Sequence, residues 1–221
     1  MRAITKIRVK YSKKQDVRMM SHLDVISAVK NALDASGLPV CRRGAGKKIC
    51  IAFGPPLPLG YTSCCELFDV EMLQRTEPEI VKQKLSEKMP PGFEIVSVYT
   101  VPVFSVPVDT AVNMAEYRIL DMGDISGGDT KIKDFFSKKE YLIDRVTDKS
   151  VHTIDARPLV KEMNLNETGV SMMLRFGPKK TIKPDVLIQK VFSIGEELKA
   201  SMKIERIAFY CETGDGALRS V

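Results

Sequence analysis

The amino-acid sequence predicts an α+β fold, because strand and helix patterns follow one another in the order β-α-β-β-α-β and that order then recurs. Residues 4–10 alternate between apolar and polar side chains, which is typical of a strand. Further along, Val25, Val29 and Leu33 recur at helical spacing until Gly37 ends the pattern. The chain therefore opens with a strand and an amphipathic helix that can cover one face of a sheet.

The start of this first helix is predicted from a capping pattern. Ser21 is followed three residues later by Asp24, so each side chain can cap a backbone amide of the other. Ser21, His22 and Asp24 also have the residue types of a catalytic triad, but neighbours on one helical turn point in different directions. We therefore predict a helix cap here rather than a triad, with His22 exposed in the first turn.

Two short stretches after the helix, residues 40–43 and 48–53, are predicted to pair as a hairpin around a glycine-containing loop. The following segment, residues 54–60, contains three prolines, which remove three backbone donors and exclude a helix or a central strand. Three further elements are predicted after it: a strand in residues 65–70, a helix in residues 77–89 and a strand in residues 93–101.

A linker is predicted in residues 102–113, where two prolines stand in an extended setting. It divides the chain into an N-terminal half, residues 1–101, and a C-terminal half, residues 114–221. The second half has predicted strands in residues 116–122, 140–147, 151–154, 169–176 and 204–211, and helices in residues 131–138 and 184–199. Two tandem ferredoxin-like (βαββαβ) halves with antiparallel sheets are therefore the predicted architecture. Its predicted core contains Val25, Val29, Leu33, Val81, Leu85, Val191 and Leu198.

Positive charge is concentrated at the start of the chain. Residues 1–50 hold twelve Lys and Arg against three acidic residues, so this segment carries +9 while the rest of the chain carries −3. Such a field attracts polyanions, RNA foremost. Aromatic residues are scarce, so phosphate and shape contacts are expected rather than base stacking. The predicted nucleic-acid-binding residues are Lys13, Lys14, Arg18, His22, Arg42, Arg43, Lys47 and Lys48, with Lys179 and Lys180 as weaker candidates in a basic loop of the second half.

Neither a metal site nor a cofactor is predicted from the cysteines and histidines. The five cysteines include no CxxC pair, and the two histidines lie 130 residues apart. Cys64 and Cys65 fall in a predicted strand, so their side chains are expected on opposite faces. An odd number of cysteines, the lack of a signal-peptide pattern and the lack of a long apolar run together favour reduced thiols in a cytoplasmic protein.

Several ordered strings resemble the bacterial radical-SAM-linked domain of unknown function. They are KYSKKQDVRMMSHLDVISAVKNALDASGLPV from Lys10, IAFGPPLPLG followed by CCELFDVEM, IDARPLV at 154–160 and RFGPKKTIKPDVL at 175–187. The resemblance implies a radical SAM protein as partner, in some cases a cobalamin-binding one. The family usually has a QGFNP-R-P stretch between its first hairpin strands. In this chain residues 43–49 occupy that place and do not match the stretch. The chain also lacks CxxxCxxC, so no iron–sulfur cluster is expected in the chain itself.

Three functional hypotheses follow from these observations. The leading one is a non-catalytic module that presents an RNA or ribonucleoprotein substrate to a radical SAM partner. A second is an RNA-processing enzyme, since tandem ferredoxin-like folds also occur in RNA endonucleases, with His22 as general base. Against it, residues 200–203 lack the glycine-rich loop of those enzymes. The third is a protein–protein interaction subunit without nucleic acid, whose basic patch meets an acidic surface.

Overall fold

The computed structural model describes residues 3–147, 150–177 and 181–221. The chain divides into two compact units, Met1–Val112 and Asn113–Val221. Each unit combines helices with a sheet, and the strand pairs described within each unit are antiparallel. The protein is therefore of mixed α+β class with mostly antiparallel sheet.

Four strands of the first unit form its sheet, in the order β6–β1–β5–β4. The elements of this unit are β1 (Thr5–Lys13), α1 (His22–Ala35), β2 (Arg42–Arg43), β3 (Lys48–Ile49), β4 (Ile51–Phe53), β5 (Thr62–Met72), α2 (Pro78–Ser86), β6 (Phe93–Val101) and α3 (Val108–Ala111). Strands β2 and β3 pair with each other as a separate two-stranded hairpin. Strands β6 and β4 flank β1 and β5, so these two long central strands are the most buried.

The capping box of α1 is confirmed. The Asp24 amide donates to Ser21 Oγ at 3.2 Å, and the Ser21 amide donates to Asp24 Oδ2 at 3.0 Å. Ser21 Oγ also lies 2.6 Å from Asp24 Oδ2, and this hydrogen bond, followed by the one from the Ser21 amide, lowers the pKa of the Asp24 carboxyl. Two amides that no helical carbonyl can reach are thus satisfied by residues three positions apart.

The core of the first unit lies between the helices and one face of the sheet. Ile7 and Val9 of β1 and Phe68 and Val70 of β5 are fully buried there. The helices contribute Val25, Val29, Leu33, Val81 and Leu85, whose predicted burial is confirmed. The segment predicted as a linker also joins this unit in part, because α3 lies against β4 and β5 and buries Val108.

The second unit has a five-stranded sheet in the order β10–β11–β7–β12–β13. Its elements are β7 (Met114–Leu120), α4 (Gly128–Ser137), β8 (Leu142–Thr147), β9 (Ser150–Asp155), β10 (Val160–Asn166), β11 (Gly169–Arg175), α5 (Pro184–Phe192), α6 (Glu196–Ser201), β12 (Lys203–Glu212) and β13 (Leu218–Ser220). Strands β8 and β9 pair with each other as a hairpin outside this sheet.

The helix predicted over residues 184–199 is two helices in the structure. Ser193 adopts a left-handed conformation with φ of 57°, which ends α5, and α6 begins after Gly195. As a consequence Val191 is buried on α5 as predicted, whereas Leu198 lies on α6 and is only half-buried. Among the described residues, no helix has the length and apolar character needed to cross a membrane.

Candidate functional site

The basic hairpin, defined as residues 42–49, carries four of the predicted phosphate-binding side chains. Strands β2 and β3 pair Arg42 with Ile49 and Arg43 with Lys48. At the tip, Lys47 adopts a left-handed conformation with φ of 44°, and its amide donates to the Gly44 carbonyl at 3.1 Å. The structure brings Arg42, Arg43, Lys47 and Lys48 together as exposed side chains.

The two arginines of the hairpin are held by carboxylates from neighbouring elements. Arg42 forms an ion pair with Asp34 of α1, and Arg43 Nη2 contacts Glu71 Oε2 of β5 at 2.6 Å. Within the described part of the chain, neither Lys47 nor Lys48 has an ion-pair partner. The lysines therefore contribute the uncompensated charge of this hairpin.

The basic residues before α1 have other environments. Lys13 is 2% exposed, and its ammonium donates to the carbonyls of Arg18 at 3.1 Å and Met20 at 2.9 Å. The ammonium is thus held by two main-chain carbonyls in a buried place, and the role predicted for Lys13 in phosphate binding stays a prediction. Lys14 is exposed and pairs with Glu94 at 2.6 Å, while Arg18 is half-buried.

The two basic groups lie at opposite ends of β1. In the pairing with β5, Lys6 faces Glu71, to which the hairpin is attached, whereas Lys13 faces Ser63. Position 13 lies seven residues along the strand from position 6, which corresponds to about 23 Å. The basic hairpin therefore does not form one cluster with Lys13, Lys14 and Arg18. Lys179 and Lys180 lie outside the described residues.

His22 lines a small cavity rather than standing exposed. The cavity is formed by the side chains of Tyr11, Lys13, His22, Val25, Leu57 and Glu66. His22 is half-buried, and its ring meets the Phe53 ring edge-on at 6.1 Å between centroids. The predicted exposure of His22 is wrong because the proline-rich segment and β5 cover the start of α1. Three of the strings that carry the family resemblance thus contribute residues to one cavity.

A group of two thiols and a carboxylate lies at the base of the basic hairpin. Cys41 directly precedes β2 and Cys50 directly follows β3, and their Sγ atoms are 3.8 Å apart. Burial, and then the hydrogen bond with Cys41, raise the pKa of the Cys50 thiol to about 11. Sequence reasoning considered Cys64 and Cys65 and missed this pair, because eight residues separate the two cysteines and only the hairpin brings them together.

These observations define a mixed α+β protein whose first unit carries an exposed basic hairpin. The chain belongs to the family described as "Uncharacterized protein conserved in bacteria (DUF2344)", whose model matches residues 6–184. This confirms the resemblance to a bacterial family of unknown function. Among solved structures, the chain is similar to an unknown protein from Galdieria sulphuraria, with 13% identity over 98% of each chain and a TM-score of 0.28. The comparison with curated proteins gave no match.

Proposed function

We propose that this protein is a non-catalytic, cytoplasmic RNA-binding module that presents an RNA or ribonucleoprotein substrate to a radical SAM partner. The observation that carries the RNA part is the basic hairpin, which exposes four cations and contains no acidic residue. The proposal of a radical SAM partner is supported by the resemblance of the quoted strings to the radical-SAM-linked domain. In that family the partner in some cases binds cobalamin.

The local shape of the hairpin supports contact with a phosphate backbone. A Cβ added at Gly44 would meet no atom within 4 Å, so a ligand can approach the main chain there. Lys47 and Lys48 can place their ammonium groups on phosphates without breaking an ion pair. Arg42 and Arg43 can share their guanidinium donors between their carboxylate partners and a phosphate.

The fold supports the same proposal at a coarser level. We propose that each unit is ferredoxin-like, with a four-stranded sheet as in RNA-recognition modules. The support is strand order. The β2–β3 and β8–β9 hairpins and the short edge strand β13 are set aside. The orders β6–β1–β5–β4 and β10–β11–β7–β12 then both follow the pattern in which the first strand lies between the third and the fourth.

Binding of labelled single-stranded RNA over a series of salt concentrations tests the proposal. In the hairpin variant, four side chains are replaced by Gln: Arg42, Arg43, Lys47 and Lys48. In the matched control, four exposed or half-buried lysines elsewhere are replaced by Gln: Lys84, Lys88, Lys133 and Lys139. Both variants lose the same net charge, so a difference between them reports position rather than total charge.

Removal of one phosphate contact should flatten the slope of log K against log salt by about 0.7 for a single strand. We expect the slope to fall by up to about 3 in the hairpin variant, and by about 1.4 when only Lys47→Gln and Lys48→Gln are introduced. The control should keep most of the parental slope. An equal decrease in the hairpin variant and the control would contradict a specific role for the hairpin. A parent that binds RNA no better than a neutral protein would favour the protein–protein interaction subunit.

A second candidate function, RNA processing, is favoured by one observation. The cavity gathers His22, Lys13, Glu66 and Tyr11, whose side chains are able to exchange protons. Multiple-turnover cleavage of labelled RNA that is abolished in His22→Ala would establish this function. Intact RNA after prolonged incubation with the parent protein supports the non-catalytic proposal.

A further inference from the structure

The backbone around Cys41, Cys50 and Glu71 forms a closed set of hydrogen bonds. The Cys41 amide donates to the Glu71 carbonyl at 2.7 Å, the Glu71 amide donates to the Cys50 carbonyl at 3.0 Å, and the Cys50 amide donates to the Cys41 carbonyl at 2.8 Å. The main chain therefore fixes the three residues relative to one another. These backbone hydrogen bonds place the three side chains next to one another.

The side chains of this group have the spacing of ligands around one metal ion. The two Sγ atoms and a Glu71 carboxylate oxygen all lie within 4.8 Å of one another. A tetrahedral zinc ion with Zn–S bonds of about 2.3 Å separates its two sulfurs by about 3.8 Å. The Sγ–Sγ distance here is also 3.8 Å. Thiolate sulfur and carboxylate oxygen are both ligands that zinc accepts in proteins.

We propose that Cys41, Cys50 and Glu71 bind a thiophilic divalent cation of the zinc type. Binding would replace the two thiol protons, which pass to solvent, by two metal–sulfur bonds. Cys41 is buried while Cys50 and Glu71 are half-buried, so solvent can reach part of the group. This gives a site with three protein ligands and one exchangeable water.

Arg43 orients the carboxylate of the site. Its Nη2 atom contacts Glu71 Oε2 at 2.6 Å, and this contact restricts the orientation of the carboxylate beside the two thiols. The ion would also tie the two ends of the basic hairpin to β5. Metal binding does not depend on RNA binding, so failure of one proposal leaves the other standing.

Titration of the reduced, metal-free full chain with Co²⁺ tests this site, because cobalt is a spectroscopic substitute for zinc. We expect a thiolate-to-cobalt charge-transfer band and the strong visible bands of tetrahedral cobalt, both saturating at one equivalent and both bleached by Zn²⁺. Cys41→Ser combined with Cys50→Ser should abolish these bands. The matched controls Cys64→Ser and Cys211→Ser, which change cysteines outside the group, should keep them.

Glu71→Gln keeps both cysteines and is expected to keep the fold. It tests the site by the same cobalt titration if the double cysteine variant does not fold. We expect it to weaken cobalt binding at least as much as the roughly tenfold loss seen when outer-shell partners are removed. Bands that persist after Cys41 and Cys50 are replaced would overturn the proposal. So would the absence of charge transfer in the parent, or protein from its native cell that contains a Cys41–Cys50 disulfide and no metal.

Discussion

At the scale of single residues, the buried pair of Arg8 and Asp69 is the most consequential ionic contact in the first unit. Arg8 Nε and Nη2 contact the two Asp69 oxygens at 2.7 and 2.9 Å, and the side chains are 8% and 3% exposed. The hydrogen bond from Arg8 to Asp69 raises the pKa of the guanidinium. Both ions are thus satisfied by each other, in a place where an unpaired charge is costly.

We predict that Asp69→Ala lowers the free energy of unfolding by about 3–5 kcal/mol, because it leaves the Arg8 charge buried and unpaired. Replacing both residues, Arg8→Met with Asp69→Leu, should cost much less than the single change. Urea unfolding measures both. The exposed pair of Lys14 and Glu94 is the matched control, and its removal should leave the unfolding midpoint unchanged. A double variant that is as unstable as Asp69→Ala would contradict the argument.

Residue types alone did not predict the environments of the functional side chains. The alternation of residues 4–10 predicted a strand, but not that the strand end would bury Lys13 against two carbonyls. In the same way, the hairpin was predicted, yet its base gathers Cys41 and Cys50 with Glu71 from a distant strand. Only the tertiary structure brings these three residues together. The expectation of no metal site, which was based on sequence spacing, therefore disagrees with the cation site proposed here. The cobalt titration decides between them.

At the scale of elements, α1 shows what local sequence signals can predict. Its cap, its apolar face and its C-terminal glycine all lie within seventeen residues, and each is confirmed. Strand β10 was missed because it is mostly polar and only Val160 and Met163 are buried, three positions apart, which is not the alternation typical of a strand. The break between α5 and α6 was missed because a left-handed serine has no distinct sequence signal. Elements with local determinants were thus predicted, and those fixed by their neighbours were not.

We predict that Leu33→Ala lowers the free energy of unfolding by about 2–5 kcal/mol, because Leu33 is 1% exposed in the packed face of α1. Leu23→Ala on the same helix is the control, since Leu23 is 72% exposed and should change stability by less than about 0.5 kcal/mol. Chemical denaturation of both variants measures the difference. Equal effects would mean that helix propensity, rather than core packing, sets the contribution of this element.

At the scale of the whole molecule, net charge and the arrangement of charge must be distinguished. The chain carries +6, and its first fifty residues carry +9. That excess was predicted from the sequence and is the basis of the RNA hypothesis. The fold, however, divides it between the basic hairpin and the opposite end of β1, and pairs Arg42, Arg43 and Lys14 with carboxylates. Among the exposed cations that the structure describes in the first fifty residues, Lys47 and Lys48 are the two without an ion-pair partner.

The dependence of whole-molecule stability on pH should be set in part by Glu212 in the second unit. Arg175 Nε contacts Glu212 Oε2 at 2.6 Å, and Lys161 Nζ contacts Glu212 Oε1 at 2.7 Å. Hydrogen bonds from Arg175 and then Lys161 lower the pKa of the Glu212 carboxyl to about 2. A carboxyl whose pKa is lower in the folded state stabilises the fold above its unfolded pKa of about 4.3. That stabilisation is lost as the pH falls towards 2.

We predict that Glu212→Gln costs about 1–2 kcal/mol at pH 7, after allowance for solvent screening of the partly exposed Arg175. The difference from the parent should shrink as the pH falls from about 4 to about 2, because the parental carboxyl then becomes protonated as well. Denaturant unfolding at a series of pH values measures this difference. Glu167→Gln, at an exposed turn of the same unit, should show no such trend. A loss in Glu212→Gln that stays constant down to pH 2 would show that hydrogen bonding, and not charge, is what Glu212 contributes.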